Sequence, residues 1–77
     1  MQKDLLLAFG QTVRKLRLSK DISQENFADM CDLHRTYISD VELGKRNVSL
    51  ENIRKIATAL NMHVSELFQE VERNASI

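Results

Sequence analysis

Four side chains fall on one face of a short helical segment by spacing alone. Arg35, Thr36, Ser39 and Asp40 share one side of a wheel drawn over residues 35–43, while Ile38, Val41 and the ring of Tyr37 share the other. A polar face of this kind suits a flat partner rich in hydrogen-bonding groups. An arginine offers two donors to the edge of a guanine, and a threonine meets a thymine methyl or a phosphate. An aspartate accepts from cytosine but is repelled by phosphate. The next residues, Lys45-Arg46-Asn47-Val48, form a polar basic loop whose cations suit phosphate oxygens.

Other chemistries find little support. His34 and His63 have no cysteine or acid at metal-ligand spacing. A Cys31–His34 dyad implies no oxyanion site. Two glycines in the chain are too few for a phosphate cradle. No enzyme activity, metal, cofactor or small-molecule ligand is therefore expected. Cys31, the sole cysteine, cannot form an internal disulfide and sits in an apolar-periodic stretch, which predicts a small buried thiol and gives no sign of an oxidising compartment.

With 77 residues, one small domain is expected. Apolar residues make up 43 % of it, enough for a core, and the lack of proline disfavours a turn-rich β fold. No apolar run reaches the ~20 residues of a membrane span, and the start does not resemble a secretory signal. The expected location is cytoplasmic. Eleven bases balance eleven acids, so binding to an anionic polymer needs a local basic surface. The charge is uneven: residues 1–20 carry +4, 21–32 carry −4, 33–55 carry +2 and 56–77 carry −2.

Five helices are predicted. The first spans about 4–20, with Leu5, Leu6, Phe9, Val13 and Leu16 as its apolar stripe and Asp4 at its cap or first turn. Gly10 is costly inside it and signals a close helix contact. Arg17 lies at the stripe's edge, which suits a snorkelling or ion-paired arginine. Leu7 and Leu18 fall outside the stripe. Ser23 caps a second helix of about eight residues that carries Phe27, Ala28 and Cys31. The third spans 35–43, followed by Gly44 as its C-terminal stop. Ser49 caps the fourth, whose stripe is Leu50, Ile53, Ile56, Ala57 and Leu60, with Asn61 at its end. The fifth starts near Ser65, and the chain from Asn74 to Ile77 is expected to fray.

Two short helices joined by a tight turn match a helix-turn-helix. The residues sharpen this. Ser23-Gln24-Glu25-Asn26-Phe27-Ala28, then His34-Arg35-Thr36-Tyr37-Ile38-Ser39-Asp40-Val41-Glu42-Leu43-Gly44-Lys45-Arg46, resembles the Cro/repressor-like helix-turn-helix family. Residues 50–60 and Val64-Ser65-Glu66-Leu67-Phe68 look like its last two helices. Within that family the chain is most similar to controller proteins of restriction–modification systems.

The resemblance implies roles. Arg35, Thr36, Ser39 and Asp40 would meet bases. Gln24, Tyr37, Lys45, Arg46 and Asn47 would meet the backbone of double-stranded DNA. Arg17 and Glu42 would form a buried ion pair between the first and third helices. Leu43 departs from the family, where a polar residue commonly donates to phosphate.

The fold expected is therefore all-α: a compact five-helix, lambda-repressor-like domain over residues 1–77, its helix-turn-helix at about 23–43. A C-terminal helix at about 65–73 would build a homodimer through Leu67, Phe68 and Val71, because so small a core is not expected to hide all three, though it has room for one or two. Two recognition helices would then read a palindromic operator. RNA polymerase is a further partner in the case of activation, met by Glu25 and Asp29. The rival reading is a helical protein-interaction module without specific DNA readout, which the neutral charge and Leu43 favour.

Overall fold

The computed structural model describes residues 2–75, with side chains from 5 to 74. Five helices follow one another: α1 (Gln2–Ser19), α2 (Gln24–Cys31), α3 (Arg35–Glu42), α4 (Leu50–Ala59) and α5 (Val64–Ala75). No strand occurs among the described residues.

The predicted start signals act as expected at two helices. Ser23 and Ser49 have extended backbones and accept through Oγ from the amides of Asn26 and Asn52, each at 3.1 Å. Each bond satisfies one donor that a helix N-terminus leaves open. At α5 the device differs. The His63 amide donates to Glu66 Oε1 at 2.8 Å, one half of a capping box, so the helix begins at Val64. α1 begins at Gln2, which puts Asp4 in its first turn rather than at its cap.

Three of the turns use a left-handed residue that is not glycine: Asp21 (φ 57°), Asp32 (φ 58°) and Asn61 (φ 59°). Short Asp and Asn side chains tolerate this conformation better than others. Asp32 makes the turn between α2 and α3, its amide donating to the Asp29 carbonyl at 3.1 Å and that of Leu33 to the Ala28 carbonyl at 2.9 Å. These bonds occupy two of the last four carbonyls of α2 and fix the direction in which α3 leaves. Gly44, at φ 76°, ends α3 as expected.

α1 packs against α3 and α5, α2 against α3 and α4, and α4 against α5. Phe27, Ile38, Ile56, Leu60 and Leu67 lie at the centre and are fully buried, with Val13, Val41 and Val71 around them. The stripe drawn for α1 needs turning. Ala8 and Thr12 are buried while Leu5 is 42 % exposed, because α5 lies along the Ala8–Thr12 side. Thr12 Oγ1 donates to the Ala8 carbonyl at 2.7 Å and accepts from Asn74 Nδ2 at 2.9 Å. Asn74, expected to fray, is thus held by α1; Ser76 and Ile77 lie outside the described residues. Leu50, placed in the α4 stripe, is 84 % exposed on the first turn of that helix.

The dimer surface read from the sequence also changes. Leu67 and Val71 are wholly buried within the chain's own core, so they offer nothing to a second copy. Phe68 alone of the three stays partly exposed, tilted against Phe9 with ring centroids 5.7 Å apart. The core hides two of the three and leaves Phe68 partly open, because α5 lies against both α1 and α4.

Candidate nucleic-acid interface

α3 carries its polar face outward. Arg35 and Thr36, in its first turn, are exposed, and Ser39 and Asp40, one turn on, are half-buried. Ile38 and Val41 anchor the opposite face in the core. The basic loop after α3 leaves Lys45, Arg46 and Asn47 exposed. Gln24, half-buried at the first position of α2, precedes the same helix pair. The residues singled out for base and backbone contact therefore divide between α3, the start of α2 and the loop from 45 to 47.

What holds α3 in place is a buried ionic cluster. Arg17 Nε donates to Glu42 Oε2 at 2.7 Å, and its terminal Nη2 donates to Oε1 at 3.0 Å. The remaining terminal nitrogen donates to the Ile22 carbonyl at 2.7 Å. The two side chains are 7 % and 2 % exposed. A two-pronged guanidinium–carboxylate pair of this geometry is among the stronger charge-assisted arrangements. It ties α1, the α1–α2 turn and the last turn of α3 together.

Gln24 joins the same cluster. Its Nε2 donates to Glu42 Oε1 at 3.0 Å. The sequence reading gave Gln24 a backbone contact and missed this bond. One amide hydrogen is used inward, which orients the carboxamide and leaves a second for an external acceptor. No local signal exposes such a pairing, since the partners lie eighteen positions apart and on different helices.

Gly10 supplies the other constraint on α3. A Cβ at that position would lie 2.2 Å from the Val41 carbonyl oxygen and 2.8 Å from that of Glu42. The first helix crosses the end of α3 backbone to backbone, as the cost of a mid-helix glycine implied. Leu7, which fell outside the stripe, covers Gly44: a Cβ there would meet Leu7 at 3.1 Å. Leu43, at the end of α3, is 57 % exposed, and Leu18, at the end of α1, is 49 % exposed.

Tyr37 is half-buried. Its ring underlies the guanidinium of Arg46, 5.0 Å from centroid to carbon, and its hydroxyl accepts from Asn52 Nδ2 at 3.0 Å. Arg46 Nε also reaches Asp40 Oδ2 at 3.4 Å. Asn52 was not singled out in the sequence; its role as a brace from α4 is visible only once the helices are packed.

Cys31 lies apart from this surface and is 1 % exposed. Burial pushes its thiol up to about 11, with nearby Lys55 pulling weakly the other way. The thiol is protonated at neutral pH and unsuited to nucleophilic work. Among the described residues no His, Cys, Asp and Glu gather into a metal-binding group, and no helix is long and apolar enough to cross a membrane.

The helix-turn-helix family profile matches residues 13–67. The chain is 57 % identical over 68 residues to the control protein C.BamHI of Bacillus amyloliquefaciens, covering 87 % of this chain and 84 % of that protein. It is similar to the crystal structure of the restriction–modification controller protein C.AhdI from Aeromonas hydrophila, with a TM-score of 0.79 and 52 % identity over 82 % of this chain and 96 % of that one. The tetramer of the controller protein C.Esp1396I, solved on its natural 35 base-pair operator, has a chain that matches with a TM-score of 0.87 and 29 % identity, covering 95 % of this chain and 96 % of its own.

Proposed function

The chain belongs to the helix-turn-helix family, and from that premise we propose that it is a sequence-specific DNA-binding transcription regulator of the restriction–modification controller kind. The observation that carries this reading is the outward polar face of α3, held rigidly from behind by Arg17, Glu42 and Gly10. A single helix fits the major groove. Arg35 and Thr36, with Ser39 behind them, are the side chains assigned to base edges, while Asp40 beside them is engaged by Arg46. Gln24, Tyr37, Lys45, Arg46 and Asn47 are assigned to the backbone.

The regulator acts as a homodimer on a palindromic operator. Two α3 helices about 34 Å apart would then enter successive major grooves on one side of the duplex. Self-association is assigned to the shallow depression around Leu5 and Phe68, whose lining is apolar except for Asn47. Phe68→Glu is expected to give folded monomers in analytical ultracentrifugation, with circular dichroism confirming the fold. A folded variant that still sediments as a dimer places the interface elsewhere. RNA polymerase is a further proposed partner, through Glu25 and Asp29, both exposed on α2. A promoter complex carrying the bound regulator that recruits polymerase no better than bare DNA would remove that partner. The place of work on this reading is the nucleoid.

Selection of bound duplexes from a random pool tests the whole reading, because it returns binding, symmetry and half-site spacing together. A recovered pool with no enriched palindrome would favour the protein-interaction reading instead. Within a selected site, Arg35→Ala is expected to cost about 1–3 kcal/mol and to relax preference at one base pair of each half-site. Lys45→Ala, exposed on the loop after α3, should weaken all sequences more evenly and flatten the salt dependence. Indistinguishable losses from the two, with specificity intact, would remove direct readout by Arg35.

A further inference from the structure

Asp40, Arg46, Tyr37 and Asn52 form a chain of contacts across the exposed end of α3. Arg46 Nε donates to Asp40 Oδ2 at 3.4 Å, its guanidinium stands 5.0 Å from the Tyr37 ring centroid, and the Tyr37 hydroxyl accepts from Asn52 Nδ2 at 3.0 Å. Arg46 and Asp40 are 49 % and 30 % exposed, and an exposed pair of this kind adds little to stability. Its consequence is positional. A long, flexible arginine is held at one place by an aromatic face below it and a carboxylate beside it. Asn52 fixes that face from α4. The carboxylate stands beside the guanidinium, where a phosphate or base acceptor would otherwise pair with it.

We infer that Asp40 is a positioning residue that acts through Arg46. Its carboxylate parks the guanidinium over Tyr37 in the free protein, and Arg46 contributes to binding only when an acceptor on the nucleic acid replaces that carboxylate. The inference rests on the DNA-reading role proposed above. On a duplex that presents a well-placed acceptor the exchange occurs. On other sequences Arg46 stays with Asp40 and its charge is withheld. Asp40 thus raises selectivity by weakening the wrong complexes, a use of repulsion and competition rather than of added contacts.

Asp40→Asn tests this, since it removes the charge and keeps the shape. Affinity for random duplex is expected to rise, the logarithmic salt slope to steepen by about 0.9, and the ratio of operator to random affinity to fall. In an Arg46→Ala background the same substitution should change neither slope nor ratio. An equal effect with and without Arg46 overturns the inference, because the carboxylate then merely repels DNA. A second readout needs no DNA. The chain has one tyrosine and no tryptophan, so its intrinsic fluorescence belongs to Tyr37. Asp40→Asn and Arg46→Ala should alter the emission of the free, folded protein in the same sense, and the double variant should match Arg46→Ala. Unchanged emission in both single variants overturns the inference. Failure of all duplex binding instead overturns the DNA-reading role and leaves the emission to decide the positioning.

Discussion

Glu42→Ala is expected to remove about 3–5 kcal/mol of stability, most of what a chain of this size commands. The carboxylate accepts three hydrogen bonds, two from Arg17 and one from Gln24. Its loss leaves a guanidinium that is 7 % exposed with only the Ile22 carbonyl to satisfy it. The loss is large because an unpaired buried charge is costly, not because the intact pair is a large net gain. The companion variant separates these two statements. Arg17→Met combined with Glu42→Leu removes both charges and fills the space, and should come within about 1–2 kcal/mol of the parent, on either side. Urea denaturation followed by circular dichroism measures both. Should Glu42→Ala unfold within about 1 kcal/mol of the parent, the cluster is as wet as a surface pair and contributes no more than one. Operator binding gives a second check. The double variant retains the fold but frees the Gln24 amide, so its affinity should fall while its stability stays within that margin.

Gly10→Ala is the second large effect, and its sign is the test. In an ordinary helix interior the change stabilises by about 0.5–1 kcal/mol. Here the added methyl would sit 2.2 Å from the Val41 carbonyl oxygen, and neither that atom nor the Glu42 carbonyl behind it belongs to a flexible side chain. The helices must separate, with a net destabilisation of about 1–3 kcal/mol or more. The strain falls on the end of α3, so operator affinity should drop as well, through misalignment of Arg35 and Thr36 rather than through any lost contact. Thermal unfolding settles the direction. A raised melting temperature would mean that α1 does not press on α3 as closely as the carbonyl distances require.

Much of this architecture was legible from local chemistry. Ser23, Ser49 and Gly44 mark helix ends because capping and left-handed turns depend on the residue at one position. Ile38 and Val41 against Arg35 and Thr36 mark the two faces of α3 because a wheel needs no knowledge of partners. Gly10 announced its contact by being out of place. Arg17 and Glu42 were paired through a resemblance and through Arg17's position at the edge of a stripe. What stayed hidden depends on which helix lies beside which. The Thr12–Asn74 bond joins positions 62 apart, and nothing in either neighbourhood points to the other. Leu67 and Val71 look like spare apolar surface until α5 is seen to be wedged against α1 and α4. Gln24 looks like a free amide until the end of α3 arrives next to it. Asn52 reads as one more polar residue in a first turn, and only the packing of α4 behind Tyr37 gives it work.

The separation between the ionic cluster and the outward face has a consequence for how such a regulator diversifies. Positions 17 and 42 can drift only in concert, since either one changed alone strands the other inside the protein. Positions 35, 36 and 39 face away from that cluster and bear none of its load. On the reading proposed above, descendants of this chain can therefore acquire new target sequences by changes confined to those few positions, inheriting an unchanged chassis, while lineages that lose the inner pair must lose both members together.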